Sequence, residues 1–356
     1  MGLSCFGFIL RREVWLVHMH DAPLYPNLSL LLVGPSGCGK DTTINFGRHY
    51  LYDMGMEDFF IGGRTIEGVY KQLLKHNDGT PKDPAIAYLP IGELTAVIGN
   101  KDYQQGIISG LTDLLSGNPL VNVSTSKDPN IAIHNPTLTV HAGSTIEWLH
   151  KAMPDGALEG GFVGRFLVVV TEHDAKQKFC PMPAYEISST DEQQALKEAR
   201  DELYMISQRA LRKTEGLGEV YIVETAQEIY YNWYYNRFKL FSPAVIPYAN
   251  RCRDTVLKLA LISAMTRQHW RWVDDADIQF AIDLMQDTAN KIDKVIIPQS
   301  EETRCTKHVL ALLPCSYHDI INNTHNKYPL RVILQAMEAL RAGGKIIDDK
   351  NIIRLA

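Results

Sequence analysis

The chain has 356 residues, 45% hydrophobic and 22% charged, which is the composition of a folded globular protein with a sizeable core. Its formal net charge of -5 excludes a basic nucleic-acid coat, so any contact with DNA must be local. The six cysteines are scattered without a CxxC pair, which predicts no disulfide framework and favours a reducing cytoplasm. No apolar stretch reaches the ~18 residues of a membrane span, so we expect no membrane domain.

A near-continuous apolar run at residues 28–34, LSLLLVG, predicts a buried parallel strand. GPSGCGKDT follows at residues 34–42 and leads into a helical pattern. Strand, glycine loop and helix in this order are the context of the phosphate-binding motif GxxxxGK, whose backbone amides and lysine hold a nucleoside triphosphate. We therefore predict ATP binding by Gly34, Pro35, Ser36, Gly37, Cys38, Gly39, Lys40, Asp41 and Thr42.

Asp41 departs from the motif, because the residue after the lysine is normally a Ser or Thr that ligates Mg²⁺. The strand predicted at residues 86–94 also lacks the expected aspartate, since Gly92 precedes Glu93. Mg²⁺ needs only one or two carboxylates besides phosphate and water. The two departures therefore predict that Asp41 supplies the carboxylate that Gly92 cannot; the alternative is that Asp41 only caps the helix.

Glu93 follows the second apolar strand and is the predicted catalytic base, as well as a candidate Mg²⁺ ligand. An ordinary surface glutamate is the alternative. The third core strand, at residues 137–143, ends in Ser144 and Thr145. A hydroxyl here could orient the attacking water and report on the γ-phosphate, and Thr145 is counted among the nucleotide-binding residues; either hydroxyl could instead cap the next helix.

Four further features carry cations or aromatic rings. A predicted hairpin before the third strand has Lys127 at its tip, either for a DNA backbone or as a plain surface turn. Arg165 opens a fourth strand and could stabilise a neighbouring subunit's γ-phosphate, or pair with an acid at the strand edge. Arg251, at the start of a buried helix, is the predicted lid cation. The aromatic cluster YYNWYYNRF at residues 230–238 favours core filling over base stacking.

The last part of the chain predicts three helices and a β-wing. In the third helix, an apolar stripe is expected at Leu330, Ile333, Leu334, Met337 and Leu340. The outer face and its flanks would meet the major groove or dock a protein. The predicted DNA contacts are Lys327, Arg331, Gln335, Arg341 and Lys345.

Together these patterns predict an α/β fold with a P-loop NTPase parallel-sheet core. The expected units are an ATPase core at residues 1–180, a helical lid subdomain at residues 181–297 and a winged-helix-like unit at residues 298–356.

Four segments, LSLLLVGPSGCGKDT, HNPTLTVHAGSTIEWL, GGFVGRFLVVV and RCRDTVLKLALISA, in this order and before a winged helix, resemble the P-loop ATPases of phages and mobile elements that accompany primase–polymerase replication proteins. The order is also similar to the AAA+ helicase cores of superfamily III and the MCM proteins. The resemblance implies Arg165 as a finger acting in trans and Arg251 as a second sensor. It also implies a homo-oligomeric ring, with a hexamer as the expected form, and a primase or polymerase on a separate polypeptide.

The expected function is that of an ATP- and Mg²⁺-dependent DNA helicase or translocase in phage or mobile-element replication, with Lys40, Glu93 and Arg165 as catalytic residues and single-stranded or forked DNA as partner. It would act in the cytoplasm, that of a bacterial host if the chain is phage-encoded. One alternative is an initiator or loader that uses ATP as a switch with little or no hydrolysis. A small-molecule kinase is the other, since GKDT also occurs in such enzymes.

Overall fold

The computed structural model describes residues 1–18, 22–62, 65–75, 84–98, 104–123, 131–152, 161–171, 190–242, 245–296, 301–349 and 352–355. The chain divides into two compact units, Met1–Ile296 and Ile297–Ala356. The boundary predicted at residue 180 lies inside the first unit. Within the described ranges, no helix combines the length and the apolar character needed to cross a bilayer.

The first unit mixes helices and strands throughout. Its elements up to the middle of the unit are α1 (Gly2–Ile9), β1 (Val14–His18), β2 (Ala22–Leu24), β3 (Ser29–Val33), α2 (Lys40–Asp53), α3 (Ile66–Lys75), β4 (Ile86–Ile91), α4 (Leu94–Ile98), α5 (Gln104–Leu114), β5 (Leu120–Val123), β6 (Ile131–His134), β7 (Thr137–Ser144) and α6 (Ile146–Ala152). They are followed by β8 (Phe166–Val170), α7 (Thr190–Thr214), β9 (Gly218–Ile222), α8 (Glu224–Asn236), α9 (Ile246–Thr266), β10 (Trp272–Val273) and α10 (Asp275–Ile296).

The central sheet is parallel and has the strand order β4-β7-β3-β8. Every residue of β3 and β7 is buried, which explains the nearly continuous apolar run of β3, while β7 also buries polar residues such as Thr139 and His141. The expectation of an α/β protein with parallel strands is confirmed. The hairpin strands β5 and β6 also pair, antiparallel as predicted.

A second sheet, of order β10-β9-β1-β2, joins segments about 200 residues apart in the chain, since β1 pairs with β9 in parallel, Leu16 opposite Val220. The range predicted as a helical lid therefore also contributes two strands. Such pairing depends on partners remote in sequence, so the local pattern of GEVYI could not indicate it.

A hydrogen-bonded group around His141 anchors α1 to the central sheet. Ser4 Oγ donates to the Leu28 carbonyl, so it accepts from His141 Nε2, 2.6 Å away. His141 Nδ1 then accepts from the hydroxyl of Tyr88 at 2.9 Å. Both ring nitrogens are thus satisfied in the neutral form, and burial lowers the pKa of His141 to about 3.

The second unit contains α11 (Glu301–Leu312), β11 (Cys315–Ser316), α12 (Tyr317–Thr324), α13 (Leu330–Ala342), β12 (Ile346–Asp349) and β13 (Ile352–Leu355). Its small sheet has the order β11-β13-β12 and is antiparallel. The buried face of α13 consists of Val332, Ile333, Ala336, Met337 and Leu340. The predicted stripe was therefore wrong at Leu330 and Leu334, which are exposed.

The burial of neutral His141 predicts an acid-sensitive fold. Folded His141 stays neutral to about pH 3, whereas in the unfolded chain it binds a proton below its ordinary pKa of 6.5. The unfolded state thus gains protons first, and the free energy of unfolding falls as pH drops from about 6.5 towards 3, by up to ~1.4 kcal/mol per pH unit from this residue. Urea unfolding at a series of pH values measures the slope.

His141→Gln is the comparison, because it removes the titrating ring while other carboxylates and histidines remain. We expect a shallower fall of stability with acid in the variant, whatever its stability at neutral pH. Parallel slopes in the two proteins over this window would contradict the assignment.

Candidate functional site

The strand order brings three chain segments to one edge of the central sheet. Gly34 directly follows β3, Ser144 ends β7, and Glu93 comes two residues after β4. All three strands are parallel, so their carboxyl ends lie on the same side. The backbone N–H of Gly34 donates to the carbonyl of Ser144 at 3.1 Å, which ties the start of the glycine loop to the end of the neighbouring strand.

The glycine loop needs left-handed backbone at two positions. Gly37 has φ 78° and Gly39 has φ 85°, values that residues with a Cβ rarely adopt. Gly39 is the N-cap of α2 and no side chain caps this end. The first turn of α2 therefore presents backbone N–H groups and the positive end of the helix dipole, an arrangement suited to an anion.

Lys40, the first residue of α2, lies over this loop. Its Nζ donates to the carbonyl oxygens of Gly34 at 2.8 Å and Pro35 at 2.6 Å, with Cys38 Sγ at 3.7 Å. The ammonium is therefore already held within the curve of the loop. An anion bound there would meet a positive charge positioned in advance.

Asp41 points to the place where residue 92 lacks a side chain. A Cβ atom built on Gly92 would lie 3.1 Å from Asp41 Oδ1 and 3.9 Å from its Cγ. Both residues are exposed. The carboxylate from α2 thus lies next to the backbone of Gly92, whereas its predicted role at Mg²⁺ stays a prediction.

Gly143 allows this approach. A Cβ atom on Gly143 would stand 2.7 Å from the carbonyl oxygen of Gly92 and 3.5 Å from the Cβ of Lys40. The first of these neighbours is backbone and could not move aside without displacing the segment that carries Glu93. The sequence offered a signal for Gly143, a glycine near the end of a buried apolar strand, but its role depends on neighbours distant in the chain.

Glu93 is held by two hydroxyls. Its Oε1 accepts from Ser144 Oγ at 2.6 Å and from Thr95 Oγ1 at 2.8 Å, with the backbone N–H of Thr95 at 3.3 Å. Ser144 is fully buried, so its hydroxyl holds the Glu93 carboxylate from the interior of the protein. In the described part of the chain, no group donates to the other oxygen, Oε2.

Thr145 has a different role from its neighbour. Its Oγ1 accepts from the backbone N–H of Trp148 at 3.2 Å, as a helix cap does. Of the two hydroxyls considered at this strand end, Ser144 contacts the acidic residue and Thr145 caps α6. Thr145 makes no side-chain contact with the glycine loop among the described residues.

Arg165 and Arg251 lie together at the opposite edge of the sheet. Arg165 directly precedes β8, whose first residue Phe166 pairs with Ser29, while the loop follows the other end of β3. That separation is ~13 Å along the strands. The side chain of Arg251 runs past Gly164, where an added Cβ would lie 2.9 Å from Arg251 Cδ. Neither arginine is placed to reach Gly34–Lys40 of its own chain, so Arg251 does not close over that loop as a lid cation.

The positive charges of Arg165 and Arg251 repel each other. Arg165 is bound by neutral partners, with Nη2 and Nε donating to Ser116 Oγ at 2.7 Å and 3.1 Å, and Nη1 donating to the Gly161 carbonyl. Burial, then the charge of Arg251, lowers the pKa of Arg165 to about 10, against the opposing effect of Asp113. A paired anion would relieve this repulsion. Ser116, which the sequence analysis did not single out, is what fixes the direction of Arg165.

The expected DNA contacts are only partly testable by position. Lys127 lies outside the described residues. In the second unit, the side chains of all five remaining residues are exposed: Lys327, Arg331, Gln335, Arg341 and Lys345. The exposed face of α13 also carries Leu334 and Glu338, so it is less basic than the predicted contacts alone suggest.

A cluster of His269, Asp274 and Asp277 has the spacing of metal ligands, with candidate ligand atoms within 4.8 Å of one another. Its carboxylates are already engaged. Arg267 Nη1 donates to Asp274 at 2.7 Å and to Asp277 at 3.0 Å, and the two aspartates bind each other's backbone N–H groups at 3.1 Å. This reciprocal pattern is a capping box at the start of α10, so we interpret the cluster as structural.

Comparison with known proteins assigns no family. No protein-family model matches the chain, and no curated protein matches it. The function is therefore argued from the site itself.

Proposed function

We propose that the chain is an ATP-dependent DNA helicase or translocase that works as a homo-oligomer, with the glycine loop of the first unit as its P-loop. The observation that carries the proposal is the Asp41 carboxylate at the bare backbone of Gly92, beside Glu93. It gives the loop and the neighbouring strand the acid that a Mg²⁺-triphosphate site requires.

The loop has the donors for a triphosphate. The uncapped amides at the start of α2 and the ammonium of Lys40 all face one concave stretch of backbone. On binding, Lys40 would exchange the carbonyl oxygens of Gly34 and Pro35 for phosphate oxygens. That exchange replaces neutral acceptors by charged ones and favours the bound state.

The residues present fit one Mg²⁺ ion. Asp41 would hold it directly or through water, and ligands of this hard cation are carboxylate, water and phosphate oxygens. A bound ion would neutralise charge that develops on the phosphates. Lys40 would bind the phosphates directly through its positive charge, and the negative Asp41 would act on them through the metal ion. The two opposite charges together would position the nucleotide on the loop.

Glu93 is the proposed base. Ser144 and Thr95 bind its Oε1, so the carboxylate is held in one orientation with Oε2 as its remaining acceptor. Oε2 would accept a proton from a water that attacks the terminal phosphate. Ser144 is a positioning residue in this scheme, acting through Glu93.

The arginine pair supports an assembly. Because Arg165 and Arg251 lie at the edge remote from their own glycine loop, they could serve a nucleotide only on another copy of the chain. In a ring, this edge of one subunit would face the loop edge of the next, and the terminal phosphate would offset the repulsion between the two arginines. The proposed trans role of Arg165 follows from this placement.

Contact with DNA is assigned to the second unit by its topology of three helices and a two-stranded wing, and to the exposed residues around α13. A separate primase or polymerase would complete the replication activity. An initiator or loader that binds ATP without turnover would share the same loop, and hydrolysis measurements distinguish the two.

The first test is ATP hydrolysis with and without single-stranded DNA. We expect DNA to stimulate hydrolysis by the wild-type chain, and Lys40→Ala to abolish it, because the variant loses the charge held within the loop. Lys71→Ala, which removes a lysine of α3, is the matched control and should retain the wild-type rate. ATP binding and ATP-dependent assembly without any turnover would favour the initiator instead.

The second test moves the acid from the helix to the strand. Asp41→Thr should lose hydrolysis at least about 10-fold and require more Mg²⁺, since the proposed metal-binding carboxylate is lost and only that of Glu93 remains near the phosphates. Gly92→Asp alone places two carboxylates side by side and should also lose activity. The double variant Asp41→Thr/Gly92→Asp restores one hydroxyl and one acid, so we expect it to recover hydrolysis.

The measurement is the steady-state rate of ATP hydrolysis of each of these variants over a Mg²⁺ titration. Asp58→Ala, which removes an exposed carboxylate elsewhere, is the control. An Asp41→Thr protein with unchanged rate and unchanged Mg²⁺ requirement would refute the role of Asp41.

The third test mixes two inactive proteins. Arg165→Ala should lower kcat by roughly 10³-fold if the arginine stabilises transition-state charge. Mixing it with Lys40→Ala creates interfaces with one intact loop and one intact arginine, so part of the activity should return. Arg209→Ala, an exposed arginine of α7, serves as control. No recovery in mixtures shown to co-assemble would exclude action in trans.

A further inference from the structure

A cavity of about 580 Å³ lies between β9, α8 and the first half of α9, on the second sheet rather than the central one. None of the residues that line it belongs to the glycine loop or to the arginine pair. Five of them are tyrosines: Tyr221, Tyr230, Tyr231, Tyr234 and Tyr235. Four of them, all except Tyr221, belong to the cluster at residues 230–238 that the sequence favoured as core filling.

The prediction of core filling holds for only part of the cluster, since Tyr230 and Tyr234 pack against the core and other rings do not. Tyr235 is 76% exposed, Tyr221 55% and Tyr231 53%, so these three rings form an open rim. Tyr230 and Tyr234 lie deeper, with ring centroids 6.1 Å apart. Side chains that serve only packing are buried and leave no space of this size between them.

α8 sets the spacing of the rim. Tyr231 and Tyr235 are one helical turn apart on the same face, about 6 Å along the axis. Tyr234 and Tyr235 meet edge to face at 5.4 Å, and Tyr230 lies 6.1 Å from Tyr231. The rings support one another in fixed orientations, so their exposed faces lose little entropy when a flat ligand stacks on them.

The lining carries two charged residues, Arg253 and Glu219. Arg253 is fixed by Asp254, whose Oδ1 accepts from its Nε at 3.1 Å. Burial opposes the charge, but the ion pair with Asp254 and a hydrogen bond to Tyr234 together raise the pKa of Arg253. The cavity therefore offers many aromatic faces and a single permanent cation.

We propose that this cavity binds a nucleobase of single-stranded nucleic acid, stacked on the rim tyrosines with a backbone phosphate on Arg253. The base supplies the planar ring that five tyrosines suit, and stacking of this kind tolerates any sequence. A free nucleoside triphosphate fits poorly, because one arginine offset by Glu219 gives no cradle for three phosphates. Tyr235, one helical turn from Tyr231 on α8, offers a second ring on which a neighbouring base can stack.

This site does not depend on ATP hydrolysis. Arg251 and Arg253 are two residues apart on α9, about 200° around the helix, so they lie on opposite faces. The arginine pair and the tyrosine cavity are therefore separate surfaces of one helix. Binding can be measured without nucleotide, so its outcome stands whether or not the chain hydrolyses ATP.

The experiment measures the affinity of the full chain for a labelled oligo-dT by fluorescence anisotropy at fixed salt, without ATP. Tyr231→Ala/Tyr235→Ala should bind at least about 30-fold more weakly, because the two lost rings remove two stacking contacts. Tyr231→Phe/Tyr235→Phe keeps both rings and should bind like wild type. Tyr52→Ala removes an equally exposed tyrosine, 61% accessible, from α2 and should have no effect.

Photo-crosslinking locates the contact independently of affinity. An oligonucleotide with 5-iododeoxyuridine should crosslink to Tyr231 or Tyr235, identified by mass spectrometry of the digested protein. Crosslinks confined to the second unit, or equal oligo-dT affinity of the alanine variant and wild type, would overturn the proposal.

Two further arms separate other ligands. Thymidine monophosphate that binds as tightly as oligo-dT, with the same dependence on the rings, would retain base stacking but overturn a strand as the ligand. A proline-rich peptide that binds in a tyrosine-dependent manner while oligo-dT does not would overturn a nucleic-acid site, since such peptides also dock in aromatic grooves.

Discussion

The close approach of the first turn of α2 to the segment after β4 is the constraint on which the proposed site depends. It requires that Gly143, on the strand between them, has no side chain, because a Cβ there would lie 2.7 Å from the Gly92 carbonyl. Only then can the carboxylate of Asp41 stand over Gly92. The unusual acid of the loop, Asp41, and the position without a side chain, Gly92, thus meet in one contact.

The central sheet holds two groups of charged side chains at opposite ends of its strands. Its carboxyl edge gathers Lys40, Asp41 and Glu93, and its amino edge gathers Arg165 and Arg251. A parallel sheet puts these groups a strand length apart by construction. If both edges serve one nucleotide, as we propose, the chain is incomplete as a monomer, and a second copy supplies the missing edge.

Sequence patterns predicted the elements whose physics is local. Largely apolar segments identified β3, β4 and β7, and the missing aspartate at residue 92 predicted a role for Asp41. What the patterns missed depends on distant partners. The pairing of β1 with β9 involves residues about 200 positions apart. On α13 two of the five predicted stripe residues were wrong, since Leu330 and Leu334 are as apolar as the buried Val332 and Ala336.

The tyrosine cluster shows why composition alone misjudges a helix. Aromatic rings at this density ordinarily pack a core, and α8 does bury Trp233 in that way. Which rings remain outside depends on the neighbours of α8, which packs against α10 and shares the lining of the cavity with the distant strands β1 and β9. The local pattern of the helix does not contain that information.

α9 is the element that the two cationic surfaces share. Most of its residues from Val256 to Met265 are buried, so the helix is packed tightly against its neighbours over this length. Arg251 leaves it towards Gly164 and Arg253 towards the cavity. A displacement of α9 would therefore shift both surfaces together, whereas a substitution at either arginine alters one. That geometry allows occupancy at one surface to bias the other without any contact between their ligands.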